Sequence, residues 1–206
     1  MSYLYIDTSK NLVLGLLDEK FKWRDYIEVK DIKTSAHLHK DIFTMLSKYD
    51  LSMEDLGGIF IVSGPGSYTG VRVSEGLAQV LEWAKIPVYS FNHFQIPDIL
   101  GEKSWIFVSK AFKGEFFTYE KDGQTSLNKL ADFGSFLDST PVEKIYTHFR
   151  EDLPAGITHY TSEVLKEGPS LIFPKVLKNK MRSRPFYYRP LEKEFKVKED
   201  ASNLSK

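Results

Sequence analysis

The chain has no cysteine. Disulfide scaffolds, thiol catalysis and cysteine-ligated zinc are therefore excluded. No apolar run approaches the roughly 18 residues that a membrane-spanning helix needs. Neither sign of charge dominates, with 28 Lys and Arg against 28 Asp and Glu. A stand-alone nucleic-acid binder with a broad basic surface is disfavoured on that ground. The opening residues Met1-Ser2-Tyr3-Leu4-Tyr5-Ile6-Asp7 carry no basic segment and meet an acid at once. That predicts a chain without a secretory leader and a cytoplasmic protein.

What the chain does have is aromatic area: 15 Phe, 11 Tyr and 3 Trp in 206 residues. That much burial can offset the entropy of ordering a chain, so a folded protein is expected. The length suits one large domain or two small lobes. The balanced charge hides an asymmetry. Residues 174 to 206 hold ten Lys or Arg and four Asp or Glu, so the body is mildly acidic and the tail basic. Such a tail is either a solvated extension or a phosphate contact.

The first third reads strand by strand. Tyr3 to Ile6, Asn11 to Leu17 and Phe21 to Val29 are apolar or alternating segments with connections too short for crossovers. They predict an antiparallel meander. A helix follows, with Thr34 or Ser35 as its cap and Leu38, Ile42, Met45, Leu46 and Tyr49 on one stripe. Gly58 to Ser63 is a buried strand. It runs into the turn Gly64-Pro65-Gly66-Ser67-Tyr68-Thr69-Gly70. Thr69 is placed to cap a second helix reaching Ala84, with Val73, Leu77, Val80, Leu81 and Ala84 inward. Ile86 to Phe91 is the next strand. The order βββαβαβ predicts an α/β fold, a mixed sheet flanked by helices in a ribonuclease-H-like layout. The second half repeats that order in reduced form: strands at Trp105 to Val108, Glu115 to Tyr119, Lys144 to Thr147 and Ile157 to Tyr160, with a helix over Leu127 to Leu137. The expected organisation is a first lobe over 1–97, a second and reduced lobe over 98–190, and a basic disordered tail over 191–206.

The glycine turn is the sharpest motif. A strand enters and a helix leaves, the setting in which backbone amides and a helix N-terminus bind anions. It is not a Walker A loop, because Gly70 is followed by Val71-Arg72, and its glycines are not spaced as a dinucleotide fingerprint. Its alternative role is purely conformational, a sharp turn whose Ser67 or Thr69 caps the helix. Ser67, Thr69, His93 and Asp98 supply the residue types of a hydrolase triad, but no GxSxG elbow holds them. His37 and His39 are two apart and cannot share a helical face, so no metal site is expected, although His37 and Asp41 can face each other.

The second helix carries a stripe outside its apolar arc: Arg72, Gly76, Gln79 and Trp83. On the first helix Phe43, next to His39, is likewise off the arc. A Trp in line with a Gly is either a buried corner of the monomer or an anchor in a helix-to-helix interface.

Taken whole, Gly64-Pro65-Gly66-Ser67-Tyr68-Thr69-Gly70-Val71-Arg72-Val73 closely resembles the GPGSFTGLRIG motif of the TsaB (YeaZ) family. Leu4-Tyr5-Ile6-Asp7-Thr8-Ser9 is similar to that family's ILAIDTS strand. His37 lies where the family has a histidine opening its first helix. Gly114-Glu115-Phe116-Phe117 resembles its GEVY hairpin, and Phe186-Tyr187-Tyr188-Arg189-Pro190 its C-terminal P-x-Y-L-R segment. The sequence departs from the pattern where Lys110-Ala111-Phe112 replaces Asp-Ala-Arg and where Ser74 replaces Gly.

The resemblance implies two lobes of the actin-like ATPase (ASKHA) superfamily. It also implies a non-catalytic subunit for threonylcarbamoyladenosine modification of adenosine 37 in tRNAs reading ANN codons. A TsaD-like catalytic subunit, with a TsaE-like ATPase as third partner, is then expected, or pairing of the chain with itself. The contact would be made by the first two helices through His37, His39, Phe43, Arg72, Gly76, Gln79 and Trp83. tRNA would be reached only through the complex. No cofactor is expected, with ATP or ADP only at the partner interface. The competing expectation is an actin-fold ATPase or kinase. In active members of the superfamily an acid at the end of the first strand holds the metal-nucleotide, which would give Asp7 and Thr8 that task beside Gly64, Gly66, Ser67, Thr69 and Gly70. The plainer reading has Asp7 hydrogen-bonding turn amides.

Overall fold

Two strand-forming segments near the N-terminus are apolar on both faces, and the sheet is built outward from them. In the computed structural model, β1 (Ser2–Asp7) and β2 (Leu12–Leu17) are buried along their whole length. The structure describes residues 1–29, 34–111, 114–140, 142–149 and 153–189, with 34–36 described by backbone only. β1 pairs antiparallel with β2, Tyr3 opposite Leu17 and Asp7 opposite Val13. β2 pairs antiparallel with the half-buried β3 (Trp23–Val29), so the meander is as expected. On its other side β1 runs parallel to β4 (Leu56–Val62), which pairs parallel with β5 (Val88–Phe91). The first sheet therefore has the order β3-β2-β1-β4-β5.

Period-two alternation divides this sheet between two cores. Leu4, Ile6, Ile59 and Ile61 meet α1 (Thr34–Ser47) and α2 (Tyr68–Trp83), through Leu38, Ile42, Met45, Leu77, Ala78 and Leu81. Tyr5, Phe60 and Phe91 face the opposite side, where Phe173 packs 4.7 Å from Phe60 and 5.4 Å from Tyr5. Phe173 belongs to α6 (Pro169–Lys178), which follows α5 (Thr161–Glu167). Neither helix was expected from the sequence. Two prolines and the lysines of 174–178 hide the stripe Ile172, Phe173 and Val176, which is fully buried.

The short α3 (Ile96–Leu100) leads into the second sheet, order β10-β9-β6-β7-β8. Its strands are β6 (Trp105–Lys110), β7 (Glu115–Glu120), β8 (Thr125–Lys129), β9 (Lys144–Thr147) and β10 (Thr158–Tyr160). Position by position this order repeats the first sheet, two antiparallel ladders beside two parallel ones. Five strands are present, so the reduction falls on the helices: α4 (Phe133–Ser139) has 7 residues against 14 in α1. The helix expected over Leu127 to Leu137 is corrected accordingly, since Leu127 lies in β8. Among the described residues no helix is long and apolar enough to cross a membrane. The basic tail, 191–206, lies outside the described residues, and so do the side chains of Thr34 and Ser35 expected to cap α1.

Candidate functional site

The residues singled out in the sequence fall in two places, an outer helix face and the junction between the lobes. On α2 the buried residues are Gly70, Val71, Ser74, Leu77, Ala78 and Leu81. The inward arc expected from the large apolar residues is therefore displaced. Val80 is 60% exposed and Ala84 is exposed, both corrections. The cause is steric: small side chains at 70, 74 and 78 let the helix lie close to the β1–β2 turn. Thr8 Oγ1 donates to Ser74 Oγ at 3.1 Å, so Ser74 uses a polar contact where a glycine would leave none. With the arc recentred, Arg72, Gly76, Gln79 and Trp83 point away from the core rather than to its flank.

That outward face exposes large apolar side chains among its polar ones. Trp83 is 83% exposed and Phe43, on the adjacent α1, 73% exposed. With Val80 they account for three of the six large hydrophobic side chains exposed among the described residues. Gly76 adds no side chain, and a Cβ there would meet nothing within 4 Å. His39 is exposed beside Phe43 and His37 is half-buried. Arg72 lies over the Tyr68 ring at 4.4 Å. Among the described residues no three metal-ligating side chains converge.

The glycine turn has a different use. Ser67, not Thr69, is the N-cap of α2, its Oγ accepting from the Gly70 amide at 3.2 Å. Thr69 is inside the first turn. A Cβ at Gly66 would overlap the Ser9 carbonyl and one at Gly70 the Thr8 carbonyl. The Ser67 amide donates to the Ser9 carbonyl at 2.5 Å. Gly64 has φ of 104° and its carbonyl accepts from the His93 amide at 2.8 Å. The turn is thus docked on the β1–β2 turn backbone to backbone, which only glycine permits at such approach.

Asp7 points inward and is 5% exposed. Its Oδ1 accepts from the Ser9 amide at 2.8 Å, and its Oδ2 lies 3.4 Å from the Tyr5 hydroxyl and 3.5 Å from His93 Nε2. A metal-nucleotide would find this carboxylate already committed to its own turn, and Ser67's amide committed to Ser9. Asp7 nevertheless borders a cleft, together with Ser9, Lys10 and His93.

His93, which the sequence offers only as a hydrolase residue type, is the hub of a buried cluster. Its Nε2 is 2.8 Å from Ser9 Oγ, its Nδ1 3.0 Å from Thr161 Oγ1, and its ring stacks on His148. Ser67 and Asp98 take no part, so the hydrolase grouping is not assembled. The partners come from positions 7, 9, 148 and 161, and no local pattern announces such a cluster. Burial holds His93 below the ordinary histidine range, against the pull of Asp7. Burial holds His148 well below it, with His93 and Lys10 adding to the effect. On either side of the β1–β2 turn lie two clefts, of 480 and 600 Å³. The larger is bordered by Lys10, the 66–69 turn, Lys110 and Tyr188. Phe112 lies outside the described residues.

Comparison with known proteins bears on the same segment. The family described as TsaD, tRNA N6-adenosine threonylcarbamoyltransferase, matches residues 33–97, which contain α1 and α2. The tRNA threonylcarbamoyladenosine biosynthesis protein TsaB of Bacillus subtilis (strain 168) is 37% identical over 97 residues, 46% of this chain and 42% of that protein. The TsaB of Buchnera aphidicola subsp. Schizaphis graminum (strain Sg) is 34% identical over 62 residues, 30% of this chain and 28% of its own length. The matches thus span less than half of either relative. Among solved structures, YeaZ from Pseudomonas aeruginosa aligns with a TM-score of 0.50 at 17% identity, covering 90% of this chain and 82% of that one. That likeness identifies the two-lobed, ribonuclease-H-like fold.

Proposed function

We propose that this chain is a non-catalytic subunit for threonylcarbamoyladenosine modification at adenosine 37 of tRNAs reading ANN codons. It binds and activates a TsaD-like threonylcarbamoyltransferase through the outer face of α1 and α2. The observation that carries this reading is the exposure of Phe43, Val80 and Trp83 on two adjacent helices. Large aromatics clustered in water mark a recognition surface. The family match supports this choice of occupant. A TsaD protein carries a lobe similar to residues 33–97, hence its own version of this helix pair. Two like helix pairs can meet about a quasi-twofold axis, as self-complementary surfaces do in symmetric dimers. The similarity to proteins named for threonylcarbamoyladenosine biosynthesis supplies the pathway. A TsaE-like ATPase acts as a third partner, and tRNA is met through the complex.

The competing reading is an actin-fold ATPase or kinase. It is disfavoured by the inward commitment of Asp7 and by the packing of the glycine turn against Thr8 and Ser9. Mixing the chain with a TsaD-like protein and measuring the mass of the species tests the proposal. A one-to-one complex supports it. A dimer of this chain that ignores the TsaD-like protein contradicts it, and Mg²⁺-dependent nucleotide binding by the isolated chain favours the ATPase.

A further inference from the structure

Beyond α6 the chain turns back along the open edge of the first sheet. Ser90 of β5 donates its amide to the Met181 carbonyl at 2.9 Å and accepts from the Ser183 amide at 3.0 Å. The segment between them puts Arg182 beside α2. Its guanidinium holds two carboxylates of that helix at once. Nη2 and Nη1 donate to the two oxygens of Glu75 at 2.8 and 3.0 Å, and Nε to Glu82 at 2.7 Å. Nη1 also reaches Ser90 Oγ at 3.1 Å. A planar fork with five donors can bridge two acids in this way; an ammonium cannot match the geometry.

Glu75 and Glu82 are seven residues apart, two turns along one side of α2, and both border the outward stripe. At about 100° per residue they lie roughly a quarter-turn round the helix from Trp83. Gln79 stands between them on the stripe side, its Nε2 3.4 Å from Glu75. Without a cation there, two carboxylates would flank the exposed Trp at the place where a partner must exclude water. Covering an uncompensated charge weakens association steeply, because its hydration is lost with nothing in return.

We propose that Arg182 is a positioning residue for partner recognition, which neutralises and fixes Glu75 and Glu82 so that α2 offers Trp83 and Gln79 without a charged border. The idea rests on the proposed partner and deepens it. It assigns a task in recognition to a residue of the C-terminal segment that need not touch the partner. The same segment touches α2 at its other end, where the Tyr187 ring packs at a tilt against Tyr68, centroids 4.6 Å apart, and then reaches the second lobe through Tyr188 to Ser109 and Arg189 to Glu115.

The test measures affinity of the full chain for the TsaD-like subunit together with melting temperature. Arg182→Gln should weaken binding about tenfold, whereas Arg182→Lys, which keeps the charge, should stay within about threefold of the unaltered chain. The informative variant is Arg182→Gln combined with Glu75→Gln and Glu82→Gln. Removing the stranded carboxylates should restore affinity to within about threefold, although the clamp is gone. A clamp that served only to hold the C-terminal segment would show no such rescue. Unchanged binding by Arg182→Gln, or a triple variant as weak as the single one, overturns the proposal. Absence of binding by the unaltered chain overturns it together with the proposed function, and is seen before any variant is made.

Discussion

His93 and His148 lie face to face, their ring centroids 4.7 Å apart and the rings 8° from parallel. One belongs to the end of the first lobe and the other follows β9 of the second, so the pair sits on the junction between lobes. Both are buried and both are held neutral, chiefly by that burial. The unfolded chain binds protons on these rings from the ordinary histidine value of 6.5 downward, while the folded chain binds them only at lower pH. Stability contributed by neutral burial is therefore complete above about pH 7 and is lost as pH falls below 6.5. Each proton taken up in excess by the unfolded chain lowers stability by about 1.4 kcal/mol per pH unit. Thermal melts between pH 7.5 and 5 should show a falling midpoint. His148→Phe, which keeps a ring between His93 and Phe107, should flatten that fall; an equal slope in the variant would remove His148 from the explanation.

The glycines of the chain should divide sharply by site. Gly70→Ala drives a methyl group into the Thr8 carbonyl and should destabilise by about 1–3 kcal/mol or more. Gly76→Ala meets open space and should stabilise by up to about 1 kcal/mol through helix propensity. Gly76→Leu should leave the melting point near that of the unaltered chain but reduce affinity for the TsaD-like subunit about tenfold, by preventing close approach of helices. A Gly76→Leu chain that binds normally would place the partner elsewhere.

Asp7→Asn should be tolerated in the modification reaction. Asparagine can still accept from the Ser9 amide, and what is lost is the charge near His93 and the second acceptor oxygen facing the Tyr5 hydroxyl. Activity of the assembled system with the variant should stay within about threefold of normal. A loss beyond about a hundredfold in a folded variant, some 2.7 kcal/mol, indicates a catalytic carboxylate instead.

The first lobe was legible in the sequence because its signals are local and periodic. The continuous apolar runs of β1 and β2, the stripe of α1 and the strand–glycine–helix passage at 62–70 each determine their own element. The orientation of α2 was only partly legible. Large apolar residues suggested one arc, but the contact surface is made by Gly70, Ser74 and Ala78, and small residues carry no hydropathy signal. Val80 reads as inward for that reason, whereas it is exposed. Phe43 and Trp83 were recognisable as lying off the arcs, though not whether they were covered. α6 escaped because Pro169, Pro174 and the lysines at 175 and 178 mask its apolar stripe. The His93 cluster and the Arg182 clamp have no local signature, since their hydrogen bonds join residues 68 to 107 positions apart.

The central claim is that the outer face of α1 and α2 is the working surface, and Trp83→Ala tests it most directly. Trp83 is 83% exposed, so its loss removes little packing within the isolated chain. An aromatic at the centre of an interface typically contributes about 2 kcal/mol or more, roughly 30-fold in affinity. Affinity for the TsaD-like subunit and melting temperature are measured on the same variant. We expect binding at least about 30-fold weaker with the melting temperature within a few degrees of normal. Unchanged affinity, or a large fall in stability of the kind that follows loss of a core Trp, about 3–5 kcal/mol, would contradict the claim.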